Sequence, residues 1–578
     1  MATRDEALGR EAGPAVADVG PSALAAKGLG LGEVVPESPP EGVRPHQQTI
    51  APSESAFGRV RATEVESIYL PGVSDEAGSD RAKKIASGIR SLTVQNIVNS
   101  VVGFVFLTLL LRLLSPSQYG LYASVVLVTG IGTSVAFFGL QSAATRFVAF
   151  MAHDEGESRV VSRSIVILSL LFTSAATIVF VTLSPALSLY FTKSIDSAWI
   201  FAASGAWLFS STISGIFQCL VQGMKRYETL ARVLISANLA MVCLTVLGLF
   251  EFHSVIVPIV GWVFYGAVIS VWSLAITRKR LLVASPARPR GRTMRQVLRY
   301  SVPLGVAGIV TVATGAADPL VVGGMLNEAQ EGAYYAAIAI SGGIGVLLFT
   351  PLNTAFFPES SSNANDPGTL STGLRLALRY TMLALIPVSF AVVGLSKQMI
   401  RLFSGGAAGY LTANPSLQLM SFFFLFVAMQ GILTSLLLST GKTAQVMLIG
   451  MVTVGLDLAL SVLLVPDLGI LGAATSRIVV DVAGCVMAVY LTKSYLAGVA
   501  DIGFHAKVLV ASFVMLGVLF SLSKFVSNRT LTLIPYALIG GVVLLLCARA
   551  LRLLTEEDKR YLEHFMPASV AKLVRALL

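Results

Sequence analysis

Long apolar stretches run along most of the chain, and short polar breaks separate them. Ile97 to Leu111 and Val508 to Leu522 are two examples, and neither contains a charged residue. The short, evenly spaced segments of alternating hydrophobicity that typify a transmembrane barrel are absent from the sequence. An apolar helix of about 20 residues satisfies its own backbone hydrogen bonds inside a bilayer. The pattern therefore predicts an all-α polytopic membrane protein.

The apolar runs predict fourteen transmembrane helices. An even number of crossings places both ends of the chain on the same side of the membrane. The first apolar run begins only near residue 92, so no signal peptide is expected. The predicted helices cover residues 88–114, 119–150, 162–184, 198–222, 229–250, 254–277, 297–325, 331–357, 372–396, 415–440, 442–465, 469–492, 506–526 and 531–551.

Composition and charge agree with this class and exclude another. Hydrophobic residues make up 54% of the chain and charged residues only 13%, whereas a soluble protein has about a quarter charged. The net charge of +10 could suggest nucleic acid, but the Lys and Arg residues lie beside helix ends on one side of the predicted membrane. The loop from Arg278 to Arg299 is the most basic of them. By the positive-inside rule both termini are cytoplasmic, in the cell (plasma or inner) membrane, and no nucleic-acid partner is expected.

One stretch of sequence is written twice. Leu114 to Gly132 reads "LSPSQYGLYASVVLVTGIG", and 212 residues later Leu326 to Ile344 reads "LNEAQEGAYYAAIAISGGI". Each copy joins two predicted helices on the non-cytoplasmic side, and six helices separate the copies. An even repeat predicts two parallel, pseudo-symmetric six-helix lobes related by an axis along the membrane normal, followed by two C-terminal helices. Chance similarity between two apolar segments is the alternative.

The predicted domains follow from these boundaries. The first segment has many Pro, Gly, Ser and Ala residues and no sustained periodicity, which predicts disorder. The last contains an acidic helix start at Thr555 and apolar positions that suit a membrane surface. The predicted divisions are a disordered cytoplasmic tail (1–82), an N-lobe (83–277), a basic cytoplasmic linker (278–296), a C-lobe (297–496), helices 13 and 14 (497–552) and an interfacial cytoplasmic helix (553–578).

The sequence offers no enzyme constellation. The loops on the non-cytoplasmic side are mostly short, and the longest, 397–415, has neither a histidine nor a carboxylate. A polymerase or ligase would need such groups to activate a hydroxyl and hold a leaving phosphate. The histidines and the four cysteines have no metal-site spacing. We therefore expect no enzyme, no metal and no cofactor.

Charged residues inside predicted helices are the sharper signal, because an unpaired charge is costly in a bilayer. Asp318 precedes Pro319 in helix 7. Asp457 in helix 11 and Arg477 in helix 12 lie at the same depth on either side of a tight turn, and Asp481 follows Arg477 by one helical turn. An Asp–Arg–Asp cluster of Asp457, Arg477 and Asp481 is predicted. It serves either as a clamp that fixes helix packing or as an ion-coupling element.

A second candidate site lies at the cytoplasmic ends of the helices. Arginines there either extend to the membrane surface or bind a diphosphate with their guanidinium groups. Three amides in helix 1 either contact another helix or line a water-filled cavity. The residues predicted to bind substrate are Arg90, Gln95, Asn96, Asn99, Arg146, Arg299 and Arg379.

The segment 109–149 resembles the start of polysaccharide flippases, a branch of the multidrug/oligosaccharidyl-lipid/polysaccharide exporter superfamily. That branch has an Arg-Leu-hydrophobic stretch, a short Pro/Tyr-Gly turn, and a Gly-Leu followed by Ala and Arg. Here the first two are Arg112-Leu113-Leu114 and Pro116 with Tyr119-Gly120, and the third is Gly139-Leu140 with Ala144 and Arg146.

The resemblance implies two lobes around a central cavity, alternating access, and a polyprenyl-diphosphate-linked glycan moved from the cytoplasmic to the outer leaflet. Membrane lipid and glycan-assembly proteins are the implied partners. Lipid II flippases of the superfamily carry an Arg-Asp pair midway along helix 1, where this chain has Phe106-Leu107, which argues against a peptidoglycan precursor. A cation-coupled multidrug exporter remains the alternative, with Asp318 binding H⁺ or Na⁺.

Overall fold

The computed structural model describes residues 75–150, 155–282, 291–362, 366–496, 501–525 and 532–553, which are almost wholly helical. Within these ranges there is no β-strand, and fourteen helical spans are long and apolar enough to cross a membrane. The all-α class and the fourteen crossings predicted from the sequence are confirmed. The helices are α1 Asp75–Leu113, α2 Pro116–Phe137, α3 Leu140–Phe150, α4 Glu155–Thr182, α5 Ser184–Thr192, α6 Ala198–Gly223, α7 Tyr227–Phe252, α8 Ile256–Leu282, α9 Gly291–Met325, α10 Glu328–Ser362, α11 Pro367–Ser404, α12 Ala408–Leu411, α13 Asn414–Met420, α14 Phe423–Ser439, α15 Thr443–Leu468, α16 Ile470–Leu496, α17 Ile502–Phe525 and α18 Leu533–Ala550.

Two predicted helices are each divided in the structure. The prediction for 119–150 was wrong in continuity: α2 ends and α3 begins around Phe138 and Gly139, whose φ values of 41° and 75° are left-handed. A Cβ on Gly139 would lie 2.7 Å from the backbone nitrogen of Gly305. The break therefore lets α9 approach the backbone of the first hairpin. The predicted helix 415–440 is likewise divided into α13 and α14.

Three helices extend into the predicted tail and linker. Helix α1 begins at Asp75, within the predicted tail. The rest of that tail lies outside the described residues. Helices α8 and α9 extend into the predicted linker from both sides and leave 283–290 between them, outside the described residues. The predicted C-terminal helix also lies there, apart from Leu553.

Six crossings form each of two lobes, and two further crossings follow. The N-lobe comprises α1–α8 and the C-lobe comprises α9–α16; α17 packs on α11, and α18 packs on both. We call the membrane side where α1 begins the N-face, and the side where α1 ends near Leu113 the far face. The lobes meet mainly where α2 packs on α9 and α10.

The repeated sequence produces the same local structure in both lobes. At the start of α2, the Gln118 N–H donates to Ser115 Oγ at 3.3 Å, and the Ser115 N–H donates to Gln118 Oε1 at 3.0 Å. At the start of α10, the Gln330 N–H donates to Asn327 Oδ1 at 2.9 Å, and the Asn327 N–H donates to Gln330 Oε1 at 3.5 Å. Both are capping boxes, which satisfy backbone donors that a helix start otherwise leaves unpaired.

The repeated glycines place these two helix starts against each other at the far face. A Cβ on Gly120 would overlap the carbonyl oxygen of Glu328, and a Cβ on Gly332 would overlap that of Pro116. The contact is therefore reciprocal, because each glycine packs against the first turn of the other helix. An axis of pseudo-symmetry between Gly120 and Gly332 explains why both copies of the repeat retain this glycine.

Replacing either glycine at this crossing should force the lobes apart. We expect Gly120→Ala and Gly332→Ala each to destabilise the protein by about 1–3 kcal/mol, because the added methyl has no space between two backbones. Gly130→Ala is the matched control on α2, since nothing lies within 4 Å of a Cβ there. Thermal unfolding in detergent measures the difference. A Gly120→Ala protein as stable as Gly130→Ala would contradict the close approach.

Candidate functional site

An ion pair lies inside the C-lobe between α9 and α16. The Arg477 Nη1 group donates to both carboxylate oxygens of Asp318, at 2.6 and 2.7 Å. The Asp318 side chain is 0% exposed and that of Arg477 is 9% exposed. Pro319 follows Asp318 and lacks an N–H, so α9 has a missing backbone hydrogen bond beside the ion pair. The pair joins the first and last crossings of the lobe.

Aromatic side chains complete the surroundings of this pair. The hydroxyl of the fully buried Tyr334 donates to Asp318. The Arg477 guanidinium carbon lies 4.7 Å from the ring centroid of Phe423, a distance at which the ring face attracts a cation. Tyr334 is the repeat mate of Tyr122, which lies in the N-lobe and accepts the Trp262 Nε1–H at 2.9 Å. The equivalent tyrosines of the two repeats thus have different partners, which are an ion pair in the C-lobe and an indole in the N-lobe.

The two remaining carboxylates of the predicted cluster have different partners. Asp457 on α15 accepts the hydroxyl of Ser476 at 2.9 Å and that of Ser461 at 3.4 Å. Asp481 Oδ2 is buried and has no hydrogen-bond partner among the described residues. The sequence predicted Arg477 between Asp457 and Asp481, but the structure directs its guanidinium to Asp318. Sequence spacing along α15 and α16 could not show that α9 packs against both.

We call Asp318, Asp457, Arg477 and Asp481 the charge cluster, and the last three of them line a cavity of about 300 Å³. The Nε of Arg477 is also without a hydrogen-bond partner in the described part of the chain. Buried polar atoms are normally paired, with water where no protein group serves. The cavity is therefore suited to water or a small cation. Its other polar lining residues are Thr311, Thr314, Gln430, Thr434 and Thr453.

Two of the arginines predicted to bind substrate lie where the N-lobe contacts the C-lobe at the N-face. The exposed guanidinium of Arg146 on α3 lies 4.6 Å from the ring centroid of Tyr300 on α9. Phe147 contacts the same ring edge-to-face, with centroids 5.5 Å apart. Arg299 precedes Tyr300 and is exposed. We call this contact the N-face seam (Arg146, Phe147, Tyr300), and it brings two of the predicted arginines to the junction of the lobes.

The predicted amide patch of α1 is divided between two environments. Asn99 accepts the side-chain N–H of Asn238 on α7 at 3.1 Å, so it contributes to packing within the N-lobe. Gln95 is buried and Asn96 is exposed. Arg90 lies in α1, but its side chain is outside the described residues. The structure therefore does not bring the three amides to one surface.

Arg379 lies apart from the N-face seam. Its Nη1 is 3.1 Å from Asp501 Oδ2 beside α17, on the outer side of the C-lobe. The sequence pattern could place Arg379 near the start of its helix, which the structure puts at the N-face, but not on a particular face of the lobe. Its predicted contact with substrate stays a prediction.

Sequence reasoning missed a polar contact between the lobes at the far face. The Ser124 hydroxyl on α2 donates to Glu331 Oε1 on α10 at 2.6 Å. Glu331 is 1% exposed, and its Oε2 has no partner in the described ranges. An acid in the first turn of a helix ordinarily suits the helix dipole, so Glu331 gave no sign of its role. The equivalent residue in the first repeat is Tyr119. This difference between the two repeats was a sequence signal for a special role of Glu331.

The short helix α5 adds to this closure. Lys193, just after α5, donates to the backbone carbonyl of Gly324 near the end of α9, and the Tyr190 hydroxyl donates to that of Leu320 at 3.1 Å. Burial raises the pKa of Tyr190, and the nearby Glu331 carboxylate acts in the same direction, so the hydroxyl remains a donor. A cation at the C-terminus of a helix is favourable. We call the contacts of α2 with α10 and of α5 with α9 the far-face seam.

Helices α1 and α10 form the other edge of the lobe interface. Near the far face, the Arg112 Nη2 donates to the Leu402 carbonyl at 2.7 Å and the Tyr410 hydroxyl donates to that of Leu114 at 3.2 Å. Deeper in the bundle, a cavity of about 300 Å³ separates α1 from α10. Its mainly apolar lining comprises Ser100, Gly103, Phe104, Leu107, Ala339, Gly342, Gly343 and Val346.

Removing one partner of the buried ion pair should cost far more stability than removing both. We expect Arg477→Met to destabilise the protein by about 3–5 kcal/mol, because Asp318 is left buried without its cation. Adding Asp318→Leu should restore most of that loss. Arg232→Met is the control, since Arg232 and Glu228 form an exposed pair at 3.9 Å worth about 0–1 kcal/mol. Unfolding in detergent checks this; additive losses from the two C-lobe variants would contradict the pairing.

Solved structures show the same fold. The lipid II flippase MurJ in an inward closed conformation superposes with a TM-score of 0.67 at 14% identity, covering 79% of this chain and 97% of that one. A multidrug resistance MATE family transporter of the MOP superfamily, inward-facing, gives 0.55 at 16% identity, covering 72% and 100%. A eukaryotic MATE transporter gives 0.52 at 14% identity, covering 73% and 99%. These likenesses establish the architecture.

Sequence comparison supplies the family. No curated protein sequence matches the chain. The family model described as polysaccharide biosynthesis protein matches residues 109–407, just over half of the chain. The matched region includes the repeated hairpins, both seams and Asp318. This chain is a multi-pass membrane protein that belongs to the polysaccharide biosynthesis protein family.

Proposed function

We propose that this protein is a flippase that moves a polyprenyl-diphosphate-linked oligosaccharide from the cytoplasmic to the outer leaflet by alternating access. The N-face is the cytoplasmic face in this proposal, in line with the positions of the basic residues. The observation that carries it is the far-face seam: two lobes of one repeat meet there through the backbones of Gly120 and Gly332. The family assignment supports a role in glycan assembly.

The charges at the N-face suit a diphosphate head group. Arg146 and Arg299 are exposed beside the junction of the lobes, and Arg90 precedes the membrane part of α1. Guanidinium groups bind phosphate oxygens with paired hydrogen bonds. The exposed Asn96 would offer hydrogen bonds to sugar hydroxyls, while Asn99 holds α1 against α7.

Transport follows from rocking one lobe against the other. The lipid chain stays in the bilayer through the gap between α1 and α10, where the lining is mainly apolar. Separation of α2 from α10 breaks the Ser124–Glu331 hydrogen bond and opens the space between the lobes to the far face. The diphosphate then leaves Arg146 and Arg299. Each step changes contacts between lobes and leaves the Arg477–Asp318 pair inside one lobe intact.

The charge cluster favours a second role, which is ion coupling. The guanidinium of Arg477 pairs with Asp318, so a proton or a monovalent cation would balance the carboxyl groups of Asp457 and Asp481 that line the cavity. Because Arg477 occupies Asp318, we assign the coupling position to Asp481, whose Oδ2 is unpartnered among the described residues. This role is compatible with either a flippase or a cation-coupled exporter of small amphipathic compounds.

Coupling through Asp481 predicts a loss of gradient dependence. In proteoliposomes, transport by Asp481→Asn should no longer respond to an imposed proton or sodium gradient, while transport driven by substrate concentration persists. Asp467→Asn is the control, because Asp467 is exposed at the far-face end of α15. A normal response in Asp481→Asn would exclude Asp481 as the coupling residue.

Deleting the gene separates the flippase from the exporter. The flippase hypothesis predicts that lipid-linked oligosaccharide accumulates in the deletion strain and that surface glycan is lost. Normal surface glycan with greater sensitivity to amphipathic cations would move the assignment to a drug exporter.

Arg146→Ala should restore less than about a tenth of transport to the deletion strain while the protein folds normally, since two charge-assisted hydrogen bonds to phosphate are missing. The exposed Arg232→Ala should restore export fully.

A further inference from the structure

A second cavity lies on the outer side of the C-lobe, toward the N-face. It has a volume of about 350 Å³, and side chains of α11, α14, α16 and α17 surround it. Neither the lobe interface nor the charge cluster contributes to its lining. Its position beside α17 places it where the lobe meets the two appended helices.

Apolar side chains line the interior of this cavity. They are Leu378, Met382, Met429, Val489 and Leu496. Methionine side chains are flexible and polarisable, so they adapt to a partner of irregular shape. The volume is at the lower end of the range of about 300–1,000 Å³ for small-molecule sites. It therefore suits one hydrocarbon chain rather than a whole lipid or a bulky aromatic compound.

The polar groups are confined to one end, around Asp501. Asp501 precedes α17, and its Oδ1 accepts the Phe504 backbone N–H at 3.1 Å, as an N-cap does. Its Oδ2 lies 3.1 Å from Arg379 Nη1 and 4.0 Å from Arg375 Nη2. His505 Nδ1 donates to the Asp501 carbonyl at 2.6 Å. The Asp501 carboxylate thus caps the start of α17 and also lies beside two guanidinium groups.

The two arginines are held differently. The Arg379 guanidinium carbon lies 4.0 Å from the ring centroid of Phe504, and its side chain is only 12% exposed. Arg375, one helical turn nearer the start of α11, is 51% exposed. Among the described residues that line this end of the cavity, two guanidinium groups meet one carboxylate, which gives it a net positive charge. A fixed inner guanidinium and an accessible outer one form a site for an anionic group.

We propose that this cavity binds an anionic phospholipid of the N-face leaflet, with one acyl chain among the apolar residues and its phosphodiester at Arg375 and Arg379. A basic pocket between transmembrane helices is a recognised kind of anionic head-group site. An apolar cavity continuous with two guanidinium groups matches both parts of such a lipid. The bound lipid would join α17 to the body of the C-lobe. This inference does not rest on the proposed function.

Lipid retention by the full-length protein tests the proposal. The detergent-purified protein is incubated with phosphatidylglycerol or with phosphatidylcholine, and native mass spectrometry and thermal unfolding are recorded. We expect selective retention of phosphatidylglycerol and a higher unfolding temperature in its presence. Arg375→Gln should lower its affinity by roughly fivefold, as for one basic residue near an anionic lipid. Arg232→Gln, exposed on α7, should not.

Two further measurements examine the two halves of the site separately. Leu378→Phe narrows the apolar interior without altering charge and should also lower retention. Inorganic phosphate alone should not reproduce the stabilisation. Equal retention of phosphatidylcholine, the same stabilisation by phosphate, or unchanged retention in both Arg375→Gln and Leu378→Phe would overturn the proposal. Displacement of phosphatidylglycerol by a polyprenyl-diphosphate oligosaccharide at equal concentration would assign the cavity to transported cargo instead.

Discussion

The reciprocal approach of α2 and α10 is the contact on which the arrangement of the two lobes depends. Lipid chains are as apolar as leucine, so helices in a bilayer associate through close packing and hydrogen bonds rather than through exclusion of water. Gly120 and Gly332 remove the side chains that would keep the backbones apart. Because both glycines come from one repeat, the two lobes contribute equivalent surfaces to this contact.

The contacts inside the C-lobe differ from this contact between the lobes, because an ion pair dominates them. The Arg477–Asp318 pair is buried and has two hydrogen bonds, and Tyr334 adds a third. Breaking such a pair is strongly unfavourable, whereas the polar contacts of the far-face seam are single hydrogen bonds. The corresponding place in the N-lobe contains Tyr122 with stacked Trp207 and Trp262, whose centroids are 5.6 Å apart. Cohesion within lobes and a separable contact between them are what rigid-body rocking requires.

Sequence periodicity alone predicted the crossings, the two lobes and the repeated hairpin, because hydrophobic length and repeat spacing are local or linear properties. It did not predict the break at Phe138–Gly139, which depends on α9 lying against that backbone. It found the four residues of the charge cluster but not the partner of Arg477. Adjacent helices 11 and 12 suggested Asp457, whereas the third helix that completes the site comes from far along the chain. Glu331 was missed for the same reason, since its partner Ser124 is in the other lobe.

The most direct test of this account measures lobe motion at both faces during transport. Spin labels on Glu251 and Asp467, exposed at the far-face ends of α7 and α15, report one distance. Labels on Lys225 and Ala444, exposed at the N-face, report the other. With the native cysteines replaced, electron–electron resonance is recorded with and without lipid-diphosphate oligosaccharide. The account predicts that the far-face distance lengthens as the N-face distance shortens. Unchanged distances in a protein that transports at the normal rate would contradict it.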